Sequence, residues 1–302
     1  MQVWRLNINP ASDDDTDPRQ FCLDNDILGF GWPIKSDSEE VTWDEYEAKA
    51  EEKYGGESWI KATNALYDRM EVGDLCWTRD HDGSYYLGAV TGPWRYEDSP
   101  EHRSADIVNV RDCQWVKVGA PDAVPGKVIG SLDVGGTLQG VNGETIQEYS
   151  SMLYQRLSGG DGDEDAVDTD DIFSLLHPED CEDLVGLYLQ ENGYRLIPST
   201  SKTGTSTYEY VLKHRDTGEK AFAQVKRGTV SLDAEDYEML EGQVFLFTTG
   251  GSQKGEAANV EFLDPDAIRA FMRENRQILP DRIVEWTRIL NGEEWHGFST
   301  SQ

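Results

Sequence analysis

Glu209, Gln224 and Lys226 are residues whose types and spacing could do chemistry in this chain. Gln224 and Lys226 stand two apart in the β-like run Ala221–Lys226, so a strand there points both side chains to one face. Glu209 falls in the preceding strand-like run and comes near them if the hairpin register allows. Glu182, in a helical run upstream, is a fourth candidate. Hydrolysis of a phosphodiester needs a metal held by acids and a cation near the developing charge. An acid, a Q-x-K strand and a helix acid supply both. The plainer alternative is an exposed cross-strand ion pair between Glu209 and Lys226.

Local charge sharpens the choice. Between Arg195 and Arg227 there are seven basic residues (Arg195, Lys202, Lys213, Arg215, Lys220, Lys226, Arg227) against Glu209, Asp216 and Glu219, so the segment is 7 − 3 = +4. The whole chain has 27 Lys+Arg against 58 Asp+Glu, or 27 − 58 = −31. A basic hairpin inside so acidic a chain points to phosphate contact, with Arg215 and Arg227 as candidate nucleic-acid ligands.

The elements that must position these residues can be read from the pattern. Pro178 sits in a first helical turn, with Glu179 and Asp180 at the positive end of the dipole. Cys181, Leu184, Val185 and Tyr188 form an apolar face, and Gly193 ends the helix. Strands are expected at Tyr194–Ser199, Tyr208–His214 and Ala221–Lys226, with Asp216-Thr217-Gly218 turning the chain. A helix at Ala234–Leu240, a strand at Val244–Thr248 and a further strand near Asn259–Leu263 follow. Helices at Asp266–Glu274 and Asp281–Leu290 end the order α-β-β-β-α-β.

The segments EDCEDLVGLYLQENGY, TYEYVL, FAQVKRG and VFLFTTG, taken together, resemble the Mrr-like restriction endonucleases of the PD-(D/E)XK superfamily over roughly Pro178 to Asn275. The resemblance implies a restriction-endonuclease-like α/β domain with a mixed central sheet. It implies Glu209 as the acid that binds Mg²⁺ (with Mn²⁺ able to substitute), Gln224 as second metal ligand, Lys226 as the catalytic lysine and Glu182 as the helix acid. The family's usual Asp is replaced by Glu209 within Tyr208-Glu209-Tyr210. That leaves open a domain that cuts and a domain that binds without cutting.

The first half of the chain reads as mixed α and β. Strands are expected at Val3–Ile8, Ile27–Trp32, Asp74–Arg79, Tyr85–Gly92 and Ile107–Val118. A helical pattern runs between Trp43 and Met70, a hairpin turn at His81–Ser84 and a closing helix at Glu144–Leu157. The segments MQVWRLNINP, LGFGWP, GDLCWTR and YLGAVTGPWRY resemble the PUA-like group that includes EVE and YTH domains, over about Met1 to Gly130. This implies a small β-barrel with helices that binds nucleic acid and holds a modified or flipped base among aromatic rings. Trp32, Trp77, Trp94 and Tyr96 are the candidate stacking residues, and Arg79, Arg95 and Arg111 the candidate phosphate contacts. Core packing is the alternative for each tryptophan.

Composition bounds the rest. The acids are spread along the chain and only 11 of the 27 basic residues are lysine, as on the cytosolic surface of a halophilic archaeon's protein. Molar salt shortens the Debye length to about 3 Å and makes such charge tolerable; an ordinary acidic protein is the alternative. No signal peptide is expected from MQVWRLNINP, and no apolar run is long enough to span a membrane, so a cytoplasmic location is expected. Cys22, Cys76, Cys113 and Cys181 lack a CxxC pair and read as reduced, buried thiols. The Gly- and Asp-rich stretch 158–171 reads as a linker between a reader domain over 1–157 and a nuclease domain over 172–302. The fold class expected is therefore α+β / α/β. The function expected is a modification-dependent DNA restriction endonuclease in host defence, acting as a homodimer or pairing on DNA. A non-cutting sensor and an RNA-directed nuclease remain open.

Overall fold

The computed structural model describes residues 1–8, 16–56, 58–159, 171–200, 207–291 and 293. The chain divides into two compact units at Val167/Asp168. Of the expected linker, residues 160–170 lie outside the described residues.

The first unit follows the order β1 (Val3–Leu6), α1 (Pro18–Asp24), β2 (Ile27–Phe30), α2 (Trp43–Tyr54), α3 (Ser58–Asn64), β3 (Leu75–Arg79), β4 (Tyr85–Val90), β5 (Arg95–Tyr96), α4 (Pro100–Ser104), β6 (Asn109–Gly119), α5 (Gly126–Asp133), β7 (Leu138–Gly140) and α6 (Glu144–Leu157). The sheet runs β2-β6-β4-β3-β1-β7, with β5 also on β6. β1 and β3 are parallel and the other pairs antiparallel. The long β6 curls the sheet into a half-barrel: Asn109–Asp112 pair with β2, and Cys113–Gly119 with β4. Trp4, Leu6, Leu28, Phe30, Cys76 and Val110 fill the concavity.

The expected helix from Trp43 to Met70 is broken. Thr42 caps α2 through its Oγ1 on Glu45 N, and Gly55 ends it with φ +56°. Then α3 passes into a π turn over Ala65–Arg69, closed by Met70 N–H to Ala65 O at 2.9 Å. A π turn leaves carbonyls poorly satisfied. Here buried Arg111 answers them, donating from Nε to Leu66 O (2.6 Å) and from Nη2 to Tyr67 O (3.0 Å).

The second unit comprises α7 (Pro178–Glu191), β8 (Tyr194–Leu196), β9 (Tyr210–His214), β10 (Lys220–Lys226), β11 (Leu232–Asp233), β12 (Gln243–Thr248), β13 (Gln253–Lys254), β14 (Val260–Phe262), α8 (Pro265–Glu274) and α9 (Asp281–Leu290). Its mixed five-stranded sheet has the order β14-β12-β10-β9-β8. β8, β9 and β10 form an antiparallel meander, and β12 and β14 run parallel to β10. Register places Val211, Phe222, Val244 and Leu246 on one face, where they pack with Leu232 and Tyr237. Tyr210, on the opposite face, donates its hydroxyl to Glu182 O of α7 at 3.1 Å.

Asp180 fixes the start of α7. Its carboxylate accepts the His177 N–H at 2.9 Å and a fork from Arg282 of α9 at 2.6–3.1 Å. The helix expected over Ala234–Leu240 is shorter, a 3₁₀ turn over Ala234–Tyr237. After it, Gly242, at φ +145°, packs so close to Lys220 O that a Cβ would stand 2.3 Å away. The outcome is a mixed α+β chain with a curled sheet in one unit and a mixed sheet in the other.

Candidate functional site

In the second unit, β9 and β10 bring the expected residues to one end of the sheet. The strand expected from Tyr208 begins only at Tyr210: Glu209 lies in a bend just before β9, and its N–H donates at 2.9 Å to the carbonyl of Ala223, the residue that already faces Tyr210, as in a bulge. Lys226 ends β10, and its Nζ lies 3.3 Å from Glu209 Oε1. Both side chains are about a third exposed, so the pair faces solvent.

Glu182 joins them from α7. Burial, then the neighbouring Glu209 carboxylate, push the Glu182 carboxyl up to about 7, while Lys226 pulls it down. Like charges held together are hard to ionise together. Gln224 is 1% exposed, and neither its Oε1 nor its Nε2 has a hydrogen-bond partner among the described residues. An orphaned buried amide is costly, so it calls for a reason. Among the described residues no three His, Cys, Asp or Glu side chains form a metal-holding group. The oxygens near this end of the sheet are the Glu209 carboxylate, the Glu182 carboxylate that feels its charge, and the amide of Gln224.

Beside this cluster lies a cleft of about 450 Å³, lined by Glu182, Asp183 and Gly186 of α7, by Tyr210, and by Ile278 and Leu279. Burial raises the Asp183 carboxyl as well.

The expected phosphate contacts of this unit are placed differently. Arg215 is exposed and donates from Nη2 to Gln190 O at 2.9 Å, tying the β9–β10 turn to α7. Arg227 is half-buried, and the charges acting on it include Cys181, Asp171, Asp180 and Glu179 around the start of α7. Lys220 stands over the Phe222 ring at 4.5 Å. Lys202 lies outside the described residues.

The first unit holds a cavity of about 370 Å³ lined by Trp32, Phe30, Gly31, Pro33, Tyr54 and Asp106, among others. Two of these residues depart from ordinary backbone geometry: Trp32 has φ +64° and Asp106 φ +53°. Positive φ is rare for a bulky side chain, and such strain clusters at ligand sites. Gly31 lets the Asp106 carboxyl come close to the backbone, since a Cβ there would stand 2.4 Å from Asp106 Oδ2 and push that side chain aside. Burial raises the Asp106 carboxyl above its ordinary value, with Lys53 nearby opposing.

Of the aromatic candidates, Trp32 lines this cavity. Trp94 is half-buried and packs against two hydrophobic core clusters, one with Trp4 and Phe30 and one with Tyr46 and Trp59, with its indole N–H on Asn109 Oδ1 at 3.3 Å. Tyr96 accepts Ile34 N–H at 2.8 Å and donates to Ile34 O at 3.1 Å, so its hydroxyl serves the backbone. Trp77 does not fit a stacking role: it is fully buried, with its indole N–H on Ser150 Oγ at 3.0 Å. The reason is that α6 covers its face of β3.

Arg111 does not fit a phosphate role either. It is buried and donates to three carbonyls, of Leu66, Tyr67 and Gly92. Arg79 pairs with Asp133 at 3.4 Å, and Arg95 with Glu97 and Asp112 at 2.7 Å each. The residues missed were Asp106 and Tyr54. A signal existed in Gly31-Trp32-Pro33, where a glycine precedes a tryptophan in a turn, but nothing local pointed from it to Asp106.

All four cysteines are free and buried. No helix among the described residues is long and apolar enough to cross a membrane. A family described as a domain of unknown function (DUF8426) matches residues 4–127, from β1 into α5. No curated protein and no solved structure matches the chain.

Proposed function

We propose that the protein is a modification-dependent DNA endonuclease, with a base-reading first unit and a Mg²⁺-dependent phosphodiesterase in the second. The observation that carries this reading is the meeting of Glu182, Glu209 and Lys226 beside the orphaned amide of Gln224. A structural ion pair explains Glu209 and Lys226 alone. It leaves unexplained a second carboxylate that feels their charges and a buried amide with no partner among the described residues. The α-β-β-β order, followed by strands parallel to β10, supports the resemblance to restriction endonucleases.

The donor set fits a hard divalent cation. Mg²⁺ takes oxygen ligands and keeps several waters, so two carboxylates and an amide oxygen suffice for the protein's share. Glu182, Glu209 and Gln224 Oε1 would hold it, and a bound Mg²⁺ would supply Lewis acidity and charge neutralisation at a phosphodiester. Lys226, held by Glu209, keeps a cation at the mouth of the site, where it stabilises charge developing on the scissile phosphate. Double-strand cleavage needs two such sites, hence two copies on DNA. Carrying reader and cutter in one chain raises the effective concentration of the cutter at a marked base.

A second reading is a sensor that binds modified nucleic acid without cutting. The 3.3 Å Glu209–Lys226 pair favours it, since each charge already satisfies the other. Titration with Mn²⁺, followed by electron paramagnetic resonance on the wild type and Glu209→Ala, separates the two. The nuclease reading expects a bound Mn²⁺ signal that Glu209→Ala weakens at least about tenfold. A signal that is absent, or the same in both proteins, supports the sensor.

A further inference from the structure

Four residues that line the cavity of the first unit favour one sign of charge. The Phe30 and Trp32 rings stand 5.4 Å apart at 76°, and Tyr54 adds a third ring to the lining. The Asp106 carboxylate is part of the same lining, and no hydrogen bond or ion pair reaches it among the described residues. Aromatic faces carry negative potential and attract cations, and a carboxylate does the same. The chain's own Lys53 already answers this field. Its Nζ stands 4.7 Å from the centre of the Tyr54 ring, donates to Pro33 O at 2.6 Å, and is the charge that acts on Asp106. Trp32 and Asp106 are both held at positive φ, the kind of strain that clusters at ligand sites.

We propose that this cavity takes a cationic base, one to which methylation of a ring nitrogen has given a positive charge, with Asp106 as its counter-ion. The inference rests on the base-reading proposal and adds the charge of the base.

A neutral base gives the rings the same area to stack on, so stacking does not tell one base from another. A positive charge gains on the ring faces and on the carboxylate together, and hydrogen bonds between charged partners are about twice as strong as neutral ones. The gain does not depend on which donors and acceptors the base turns to the carboxylate. Lys53 is exposed, so its ammonium passes into water as the base enters. A methyl group on a pairing nitrogen also blocks Watson–Crick pairing, so such a base leaves the stack at least cost. The cavity, at about 370 Å³, lies in the size range of small-molecule pockets.

3-Methylcytosine and 5-methylcytosine are isomers, and in neutral buffer the first is a cation and the second is not. The test is fluorescence anisotropy of the full chain with labelled single-stranded oligonucleotides of one sequence, carrying either base at the centre. Molar KCl keeps the acidic chain screened, and EDTA ensures that nothing is cut. The expected result is a preference of about tenfold or more for 3-methylcytosine. Asp106→Asn keeps the side chain's shape and tolerates the positive φ. It should reduce the preference at least about fivefold and leave the affinity for 5-methylcytosine in place.

Equal affinity for the two oligonucleotides in the wild type, or tighter binding of 5-methylcytosine, overturns the inference while leaving the base reader standing. So does a preference that Asp106→Asn leaves intact. Failure of both to bind also overturns the inference, and the reader proposal falls with it if oligonucleotides carrying 5-hydroxymethylcytosine and N6-methyladenine fail as well. The wild-type ratio alone decides should the variant not fold.

Discussion

Gln224 shows what a single side chain can reveal. In a strand buried on both faces, a glutamine without partners destabilises the unit by about 1–3 kcal/mol relative to a satisfied group. Gln224→Met, which keeps the volume, should therefore raise stability in metal-free buffer by about 1–2 kcal/mol. The same change should remove the stabilisation that Mg²⁺ gives the wild type. Urea denaturation with and without Mg²⁺ measures both, and a destabilised Gln224→Met protein would show that the amide has a structural partner.

Glu182 makes a matching prediction in pH. Its carboxyl is raised to about 7, against about 4.3 for an unperturbed glutamate. A raised carboxyl means that the folded state holds the proton more tightly, so its contribution to stability is full below about pH 4.3. It is lost as pH climbs through 7. In metal-free buffer Glu182→Gln should flatten the thermal melting profile between pH 5 and pH 8, with the variant gaining on the wild type at the alkaline end. Parallel profiles for the two proteins would contradict the crowding of Glu182 against Glu209.

At the scale of elements, the π turn after α3 and the strand β6 depend on each other through Arg111. Its guanidinium answers carbonyls from Leu66, Tyr67 and Gly92. Arg111→Met should cost roughly 3 kcal/mol, because it strands buried acceptors. A calorimetric melt checks this: a loss below about 1 kcal/mol would mean that the turn satisfies itself.

The PUA-like resemblance brings in Arg111 as a phosphate contact and does not tell a buried arginine from an exposed one. The sequence could not mark the π turn, whose extra residue leaves no pattern in hydrophobic spacing. Trp77 was misplaced for a related reason. Alternation along β3 assumes one open face, and α6, some seventy residues away in sequence, closes it. By contrast α7, β9, β10 and β12 were legible, since each carries its own start signal, period or turn. Glu182, Gln224 and Lys226 sit on these local elements and Glu209 immediately before β9, which is why they could be named as candidates from the sequence. Asp106 and Trp32 were not joined beforehand: they come to line one cavity from positions more than seventy residues apart in sequence.

At the scale of the whole molecule, charge sets the working conditions. A net charge of −31 repels itself at low ionic strength and is screened within about 3 Å at molar salt. The melting temperature should rise continuously as KCl is raised from about 0.2 M to about 3 M, and a flat response would remove the case for a halophilic surface. High salt also weakens counterion release as a source of DNA affinity. On the proposed function, recognition would then lean on hydrogen bonds and stacking, for which the cavity lined by Trp32 and Asp106 has the groups.

The most direct test of the central claim is cleavage in molar KCl with Mg²⁺. The substrates are duplexes carrying 5-methylcytosine, 5-hydroxymethylcytosine, N6-methyladenine, phosphorothioate or no modification. The expected result is that the wild type cuts at least one modified duplex and spares the plain one, while Lys226→Ala lowers that rate about a hundredfold or more. Inactivity on every duplex, or a Lys226→Ala protein that cuts as fast as the wild type, would contradict the assignment of Glu182, Glu209, Gln224 and Lys226 as a phosphodiesterase site.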